Sequence, residues 1–279
     1  MLGIGLGLLS SVAWGIADFL GGLQTRRVSA LTVLLVTQPV GLVLALIVAL
    51  TVGGDALSGS DAAIAAAGGV AAVLALAAFY KAMALGSVSV VATIGALGVL
   101  VPVGVGLAQG EDPAAIQLLG AALAIGGVML VAREPDPEWR AANRAAVGLA
   151  AMAALGFGLF FTSLDAASGD QPAWTIVLAR VGGVATLLIG AVVLRPSMRI
   201  ARDMYAPLIT IAICDIAANS LFALATQRGL LSLVAVAGSL YSAVTVLLAR
   251  FVLAERLAQP QQAGVVLALT GVAAIAAGA

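Results

Sequence analysis

The chain has 279 residues, 62% of them hydrophobic and 9% charged, with a mean hydropathy of +1.16 and a formal net charge of zero. Soluble domains carry about 25% charged residues, so this chain lacks the polar surface of a water-soluble fold, and no basic patch points to nucleic acid. It has no histidine and a single cysteine, Cys214, which removes His-relayed catalysis, His-built metal sites and any internal disulfide.

A bilayer-spanning helix takes about 20 mainly apolar residues, and ten such runs follow one another. The first covers 2–22 and has no basic segment before it, so it reads as a first span rather than a signal peptide. Its "GIGLG" follows no strand, so Gly3, Gly5 and Gly7 serve close helix packing rather than nucleotide binding. Ser11, Trp14 and Asp18 fall on one face of this run at helical spacing. The second run, 29–51, holds Gln38 beside Pro39, whose missing N–H frees a helical carbonyl. The third, 62–85, ends in Tyr80 and Lys81; this lysine is the only one and precedes Ala82, so there is no Walker A motif and no ATP-driven pumping. The fourth, 87–107, offers Ser89 and Thr93, and the fifth, 114–132, carries no charge. The sixth, 146–166, has Asp165 near its end, and the seventh, 172–194, holds Arg180. The eighth, 206–227, presents Asp215, Asn219, Phe222 and Thr226 as one stripe. The ninth, 231–253, offers Gly238, Tyr241 and Thr245, and the tenth, 262–278, again has no charge. The intervening loops are short and rich in turn residues, leaving no soluble domain.

The chain repeats itself. An offset of 143 aligns Gly5 and Leu6 with Gly148 and Leu149, Trp14 and Gly15 with Phe157 and Gly158, and Thr32 with Thr175. The same offset pairs Phe79 with Phe222, Gly86 with Gly229, Ser89 with Ser232 and Gly95 with Gly238. After one inserted residue, Glu111, Gly120 and Gly127 match Glu255, Gly264 and Gly271. The expected organisation is a first repeat over 1–133, a linker over 134–145 on one side of the membrane, and a second repeat over 146–279. Five spans per repeat is an odd number, so the second copy enters from the opposite face. The expected fold is therefore an all-α polytopic membrane protein of ten transmembrane helices in two inverted five-helix repeats, an architecture used by secondary carriers.

The segments "FYKAMALGSVSVVATIGALGVLVPV" and "LAERLAQPQQAGVVLALTGVAAI" resemble the two halves of EamA-type transporters of the drug/metabolite transporter superfamily. The resemblance covers essentially the whole chain. Its first-half copy departs from the pattern, with "QGEDPAA" where the second half has Glu255, Arg256 and Leu257. The resemblance implies a ten-helix carrier whose first four helices in each repeat line the pathway, with the fifth and tenth peripheral. It implies amino acids, other metabolites or drugs as solutes without choosing among them. Orientation brings two signals into conflict. Arg26, Arg27, Arg133, Arg140, Arg144, Arg195, Arg199, Arg202, Arg250 and Arg256 fall on one face, against Arg228 on the other. Such a bias marks the cytoplasmic side and puts both termini outside, whereas the resemblance puts them inside.

Charges deep in a span cost about 2.5–3.5 kcal/mol on insertion scales and face a cavity or a partner. The candidate substrate-binding set is Trp14, Asp18, Gln38, Tyr80, Arg180, Asp215, Asn219, Phe222 and Tyr241. Asp18, Asp215 and Arg180 supply charge recognition, with Asp215 facing Arg180, and the aromatics form walls. Blander readings stand beside these. Ser89, Thr93 and Thr245 bond their own helix backbone, Trp14 and Tyr80 anchor at the interface, Lys81 snorkels to the surface, Asp165 caps a loop, and Arg180 and Asp215 form a purely structural pair. The leading reading is a secondary carrier exporting a small polar metabolite or drug-like solute from a bacterial inner (plasma) membrane by alternating access, with no cofactor and no metal. A coupling proton or ion and a homodimer stay open. The alternatives are an intramembrane lipid-modifying enzyme and a non-transporting scaffold.

Overall fold

The structure is a computed structural model; it describes residues 2–101, 104–105, 114–131, 137–168, 171–226, 240–255 and 257–277. The described residues form ten α-helices: α1 (Leu2–Thr25), α2 (Ala30–Val52), α3 (Gly59–Leu85), α4 (Val88–Gly95), α5 (Ala115–Val131), α6 (Pro137–Ser168), α7 (Pro172–Leu194), α8 (Tyr205–Thr226), α9 (Tyr241–Val252) and α10 (Gln259–Ala277). Six helical stretches, in α1, α2, α3, α6, α7 and α8, are long and apolar enough to cross a bilayer. The surface agrees with that reading. Leu50, Val52, Met129, Met152, Val192 and Phe251 are each more than 60% exposed, while the buried positions are most often alanine. Large apolar side chains face outward and small ones inward, as lipid solvent demands, because lipid gives no incentive to bury Leu and helices associate by close backbone packing.

Two of the apolar runs differ most from the helices. α6 begins at Pro137 rather than at 146, so most of the expected linker is helical and Arg140 and Arg144 sit on its first turns. Apolarity marks where side chains meet lipid, whereas the backbone spiral continues beyond the lipid-facing stretch. The fourth run is not one α-helix: α4 stops at Gly95 and tightens into a 3-10 turn over Ala96–Val99. Gly95 and Gly98 lower helix propensity there, and a methyl group at Gly98 would come within 2.8 Å of the Ala154 carbonyl. α9 is described from Tyr241, so Gly238 and the start of the ninth run lie outside the described residues, as does Glu111.

Glycine sets the tightest crossings, and these come in matched pairs. A Cβ on Gly15 of α1 would lie 2.8 Å from the Tyr241 carbonyl and 2.5 Å from Val244 of α9. Its aligned partner Gly158, on α6, would meet the Gly98 carbonyl and Val101 at 2.4 Å. A Cβ on Gly127 of α5 would fall 2.3 Å from the Ala268 nitrogen on α10, and one on Gly271 would fall 2.3 Å from the Ala124 nitrogen on α5. The glycine faces of α5 and α10 therefore pack against each other within one chain. Helix contacts follow the same exchange: α1 lies along α8 as α3 lies along α6, and α2 lies along α7.

The loops alternate between two ends of the bundle. At one end Arg27 reaches Asp203 at 2.7 Å and the Thr32 hydroxyl donates to the Ser197 carbonyl at 3.1 Å. There too the Glu255 carboxylate accepts from the backbone N–H groups of Val88 (2.9 Å) and Ser89 (3.1 Å) and from the hydroxyls of Ser87 (3.0 Å) and Ser89 (2.9 Å). Arg26 stands 3.8 Å from the same carboxylate. This anion sits on the first turn of α4, where unpaired N–H groups and the helix dipole both favour negative charge. Ala254, immediately before it, adopts the left-handed region with φ +53, which turns Glu255 back toward α4. At the other end the Trp174 indole donates to the Gly54 carbonyl at 3.2 Å.

Candidate substrate cavity

The charges buried in the apolar runs converge. α7 is pressed onto α3 by small residues: a Cβ on Gly69 would collide with the Ala179 carbonyl at 1.7 Å, and one on Gly182 with the Ala66 carbonyl at 2.1 Å. That contact fixes the face of α7 that carries Arg180. Its guanidinium donates from Nη2 to Asp215 Oδ2 at 2.5 Å, and from Nη1 to Gln38 Oε1 on α2. Asn219, one turn beyond Asp215 on α8, donates to its backbone carbonyl at 2.7 Å and to its free Oδ1 at 3.3 Å. Both oxygens of Asp215 are thus engaged. The pair is mostly buried, at 13% exposure for the Arg180 side chain and 20% for Asp215. A buried pair in this state holds together because each partner satisfies a charge that the other would leave desolvated.

These groups line one cavity of about 100 Å³. Trp14 and Asp18 enter it from α1, Gln38 from α2, Arg180 from α7, Asp215 and Asn219 from α8 and Tyr241 from α9. Seven of the nine candidates from the sequence therefore share one cavity wall. Asp18 has no hydrogen bond or ion pair with any described residue and opens onto the cavity between Trp14 and Asp215. Phe222 stands behind the wall, its ring 5.6 Å from Trp14, and Tyr241 meets Trp14 edge-on at 6.3 Å.

Tyr80 is outside this lining. It is 1% exposed and fills the space opposite Gly21, where a Cβ would lie 2.0 Å from its ring. An interfacial anchor would be exposed, so the packing against α1 replaces that reading. Lys81, one residue on, is exposed, as snorkelling requires. The hydroxyls of Thr93 and Thr245 bond the Ser89 and Tyr241 carbonyls of their own helices, and Ser89 is taken up by Glu255. The side chain of Asp165 lies outside the described residues.

Sequence reasoning missed the opposite wall, made by Ala72, Val73 and Leu76 of α3 and by Phe157, Phe160 and Phe161 of α6. A signal for it existed. At the repeat offset Phe157 is the partner of Trp14, and Phe161, Ala72 and Leu76 are the partners of Asp18, Asp215 and Asn219. The ring pair of Trp14 with Phe222 recurs between Phe157 and Phe79, 5.5 Å apart and edge-on. Equivalent positions thus line the same cavity, polar on α1 and α8, apolar on α3 and α6. Among the described residues no three His, Cys, Asp or Glu side chains gather as a metal site.

No curated protein matches the chain. A solved structure titled only as the crystal structure of a protein matches with a TM-score of 0.59 and 14% identity, covering 95% of this chain and 95% of that one. At that identity the likeness concerns the fold alone. The model of the EamA-like transporter family matches residues 1–133 and 144–277. That coverage takes in nearly the whole chain, including every helix that reaches the cavity. The protein is an integral membrane protein of the EamA-like transporter family, within the drug/metabolite transporter superfamily.

Proposed function

We propose that the protein is a secondary carrier that exports a small polar metabolite or drug-like solute across a bacterial inner membrane by alternating access. The two segments that match the family act as inverted five-helix repeats, and Trp14, Asp18, Gln38, Arg180, Asp215, Asn219 and Tyr241 contact the solute. The observation that carries this reading is the cavity itself. It lies between helices of both segments and holds two carboxylates and a guanidinium in surroundings where unneeded charge is expensive. A scaffold has no use for three such groups on one cavity. Support for the inverted arrangement comes from the matched glycine crossings and ring pairs, since exchanging the segments maps each contact onto its counterpart. Phe222 and Tyr80 act indirectly, Phe222 by backing Trp14 and Tyr80 by fixing α3 against α1.

Reconstitution into proteoliposomes with a panel of labelled metabolites and amphiphilic drugs tests the reading. Saturable flux that Asp215→Asn abolishes supports it. Folded, reconstituted protein that moves no member of the panel above the rate of empty liposomes would overturn it.

A further inference from the structure

The carrier reading leaves the solute's chemistry open, and a charge count within the cavity narrows it. Three ionisable groups line the space: Asp18, Arg180 and Asp215. Arg180 is occupied twice, by Asp215 and by Gln38, and Asp215 is occupied by Arg180 and Asn219. Those groups cancel one another. Asp18 remains, facing the cavity with no hydrogen bond or ion pair among the described residues. Asp18 is the one ionisable group of the lining without a counter-charge, and a bound cation is what would hold it ionised.

The walls add a second constraint. Asp18 sits one turn from Trp14 on α1, and the Tyr241 ring stands edge-on to Trp14. Aromatic faces attract cations and do nothing for anions. Across the space, the repeat partner of Asp18 is Phe161, and the partners of Asp215 and Asn219 are Ala72 and Leu76. A solute that fills the cavity therefore meets charge at one end and aromatic or aliphatic surface at the other. A carboxylate-bearing solute finds no uncommitted cation and meets Asp18 in surroundings where like charges repel strongly.

We infer, resting on the carrier reading, that the solute is an amphiphilic monocation: a primary or secondary amine on an aromatic or branched apolar body, its ammonium on Asp18 and its body against Phe157, Phe160 and Phe161. Asp18 is then the residue that sets charge preference, and the Arg180–Asp215 pair is the frame that holds the polar wall in place.

Three probes with one phenyl body separate the charges: 2-phenylethylamine (ammonium), 3-phenylpropanoate (carboxylate) and phenylalanine (both). Binding is read as the shift in thermal unfolding of the full chain in detergent, which rises with ligand occupancy, and flux is read in proteoliposomes. The amine raises the unfolding temperature and the carboxylate does not, with phenylalanine weaker than the amine. Asp18→Asn weakens amine binding by about tenfold to a hundredfold, the scale of a hydrogen bond to a charged group. Because Asp18 has no partner to lose, that variant unfolds no earlier than the parent without ligand. Asp18→Glu keeps the preference for the amine. A carboxylate that stabilises as well as the amine, amine binding untouched in Asp18→Asn, or inertness of all three probes each overturns the inference. Flux of the carboxylate or amino acid with the amine inert overturns it while leaving the carrier reading intact. Amine binding through Asp18 with no flux of any solute does the reverse.

Discussion

Glu255 is the side chain whose removal has the most legible cost. Its carboxylate takes four hydrogen bonds at 2.9–3.1 Å from Ser87, Val88 and Ser89, two of them from backbone N–H groups that α4 cannot satisfy internally. The side chain is 16% exposed, so water replaces it only in part. A hydrogen bond to a charged group contributes about 1.5–3 kcal/mol, and bonds sharing one acceptor do not add. Glu255→Ala should therefore cost on the order of 4 kcal/mol, discounted from the sum because Ser87 already caps the Val90 N–H at 3.3 Å. Glu255→Gln keeps one acceptor oxygen and turns an amide donor toward groups that also donate, so its cost is on the order of 2 kcal/mol. Chains somewhat shorter than this one lose roughly 2–4 °C of unfolding temperature per kcal/mol, which gives drops of about 10 °C and about 5 °C. Tryptophan fluorescence during heating in detergent reads both. A Ser87→Ala, Ser89→Ala double variant removes the two hydroxyl donors and should cost less than Glu255→Ala. Adding it to Glu255→Ala should cost only the Ser87 cap on Val90, about 1 kcal/mol. An unfolding temperature for Glu255→Ala within a degree of the parent, or full additivity with the serine variants, would refute the argument.

Arg180→Gln strands the Asp215 carboxylate and should destabilise by about 3–5 kcal/mol, while Arg180→Gln with Asp215→Asn recovers most of that without recovering transport; heating curves and flux for both, beside Asp215→Asn, check it. Gly271→Leu forces a side chain onto the α5 backbone where even a Cβ would lie 2.3 Å from the Ala124 nitrogen, so it should cost at least about 1–3 kcal/mol and leave solute preference unchanged. Altered preference at full stability would count against a peripheral α5 and α10. If the arginine-rich face is cytoplasmic, a cysteine at Ala141, with Cys214 replaced, resists membrane-impermeant thiol reagents in intact cells. Ready labelling there would reverse the orientation.

Much of the fold was legible because a bilayer imposes one rule on every spanning segment. Apolar runs of sufficient length become helices: both ends of α2 and α7 and the starts of α5 and α8 fall within a residue of the runs over 29–51, 172–194, 114–132 and 206–227. The polar wall was legible for the same reason: Asp18, Arg180 and Asp215 are conspicuous where charge is costly. Phe157, Phe160 and Phe161 were not, because an aromatic ring is as welcome in lipid as in a cavity and periodicity cannot separate the two. Only the partner of Trp14 at the repeat offset distinguished Phe157 from a lipid-facing phenylalanine. The environment of Glu255 was hidden differently. Its partners are about 167 residues away along the chain, and no spacing within "LAERLAQ" points to the start of α4. Tyr80 was misjudged because closeness to a span's end does not tell which face of α3 meets a neighbour.

The matched contacts and the mismatched walls answer different needs. Alternating access asks for two conformations of comparable free energy, since a solute can shift the balance only by its differential affinity for them. Repeats with equivalent packing provide that comparability. The α1–α9 crossing at Gly15 and the crossing of α6 at Gly158 with the segment that follows α4 are the same joint built twice. Identical walls would leave a solute no preferred direction within the cavity. Placing Asp18, Asp215 and Asn219 on one wall and Phe161, Ala72 and Leu76 at the equivalent positions of the other gives the bound molecule a fixed head and tail. A charged head held on α1 and α8 draws on the polar wall in one conformation and must be released to water in the other. On the proposed function, the asymmetry of a few side chains laid over matched helix crossings is where solute recognition resides, and changing solute class would require altering Asp18 and its neighbours without touching the glycines that set those crossings.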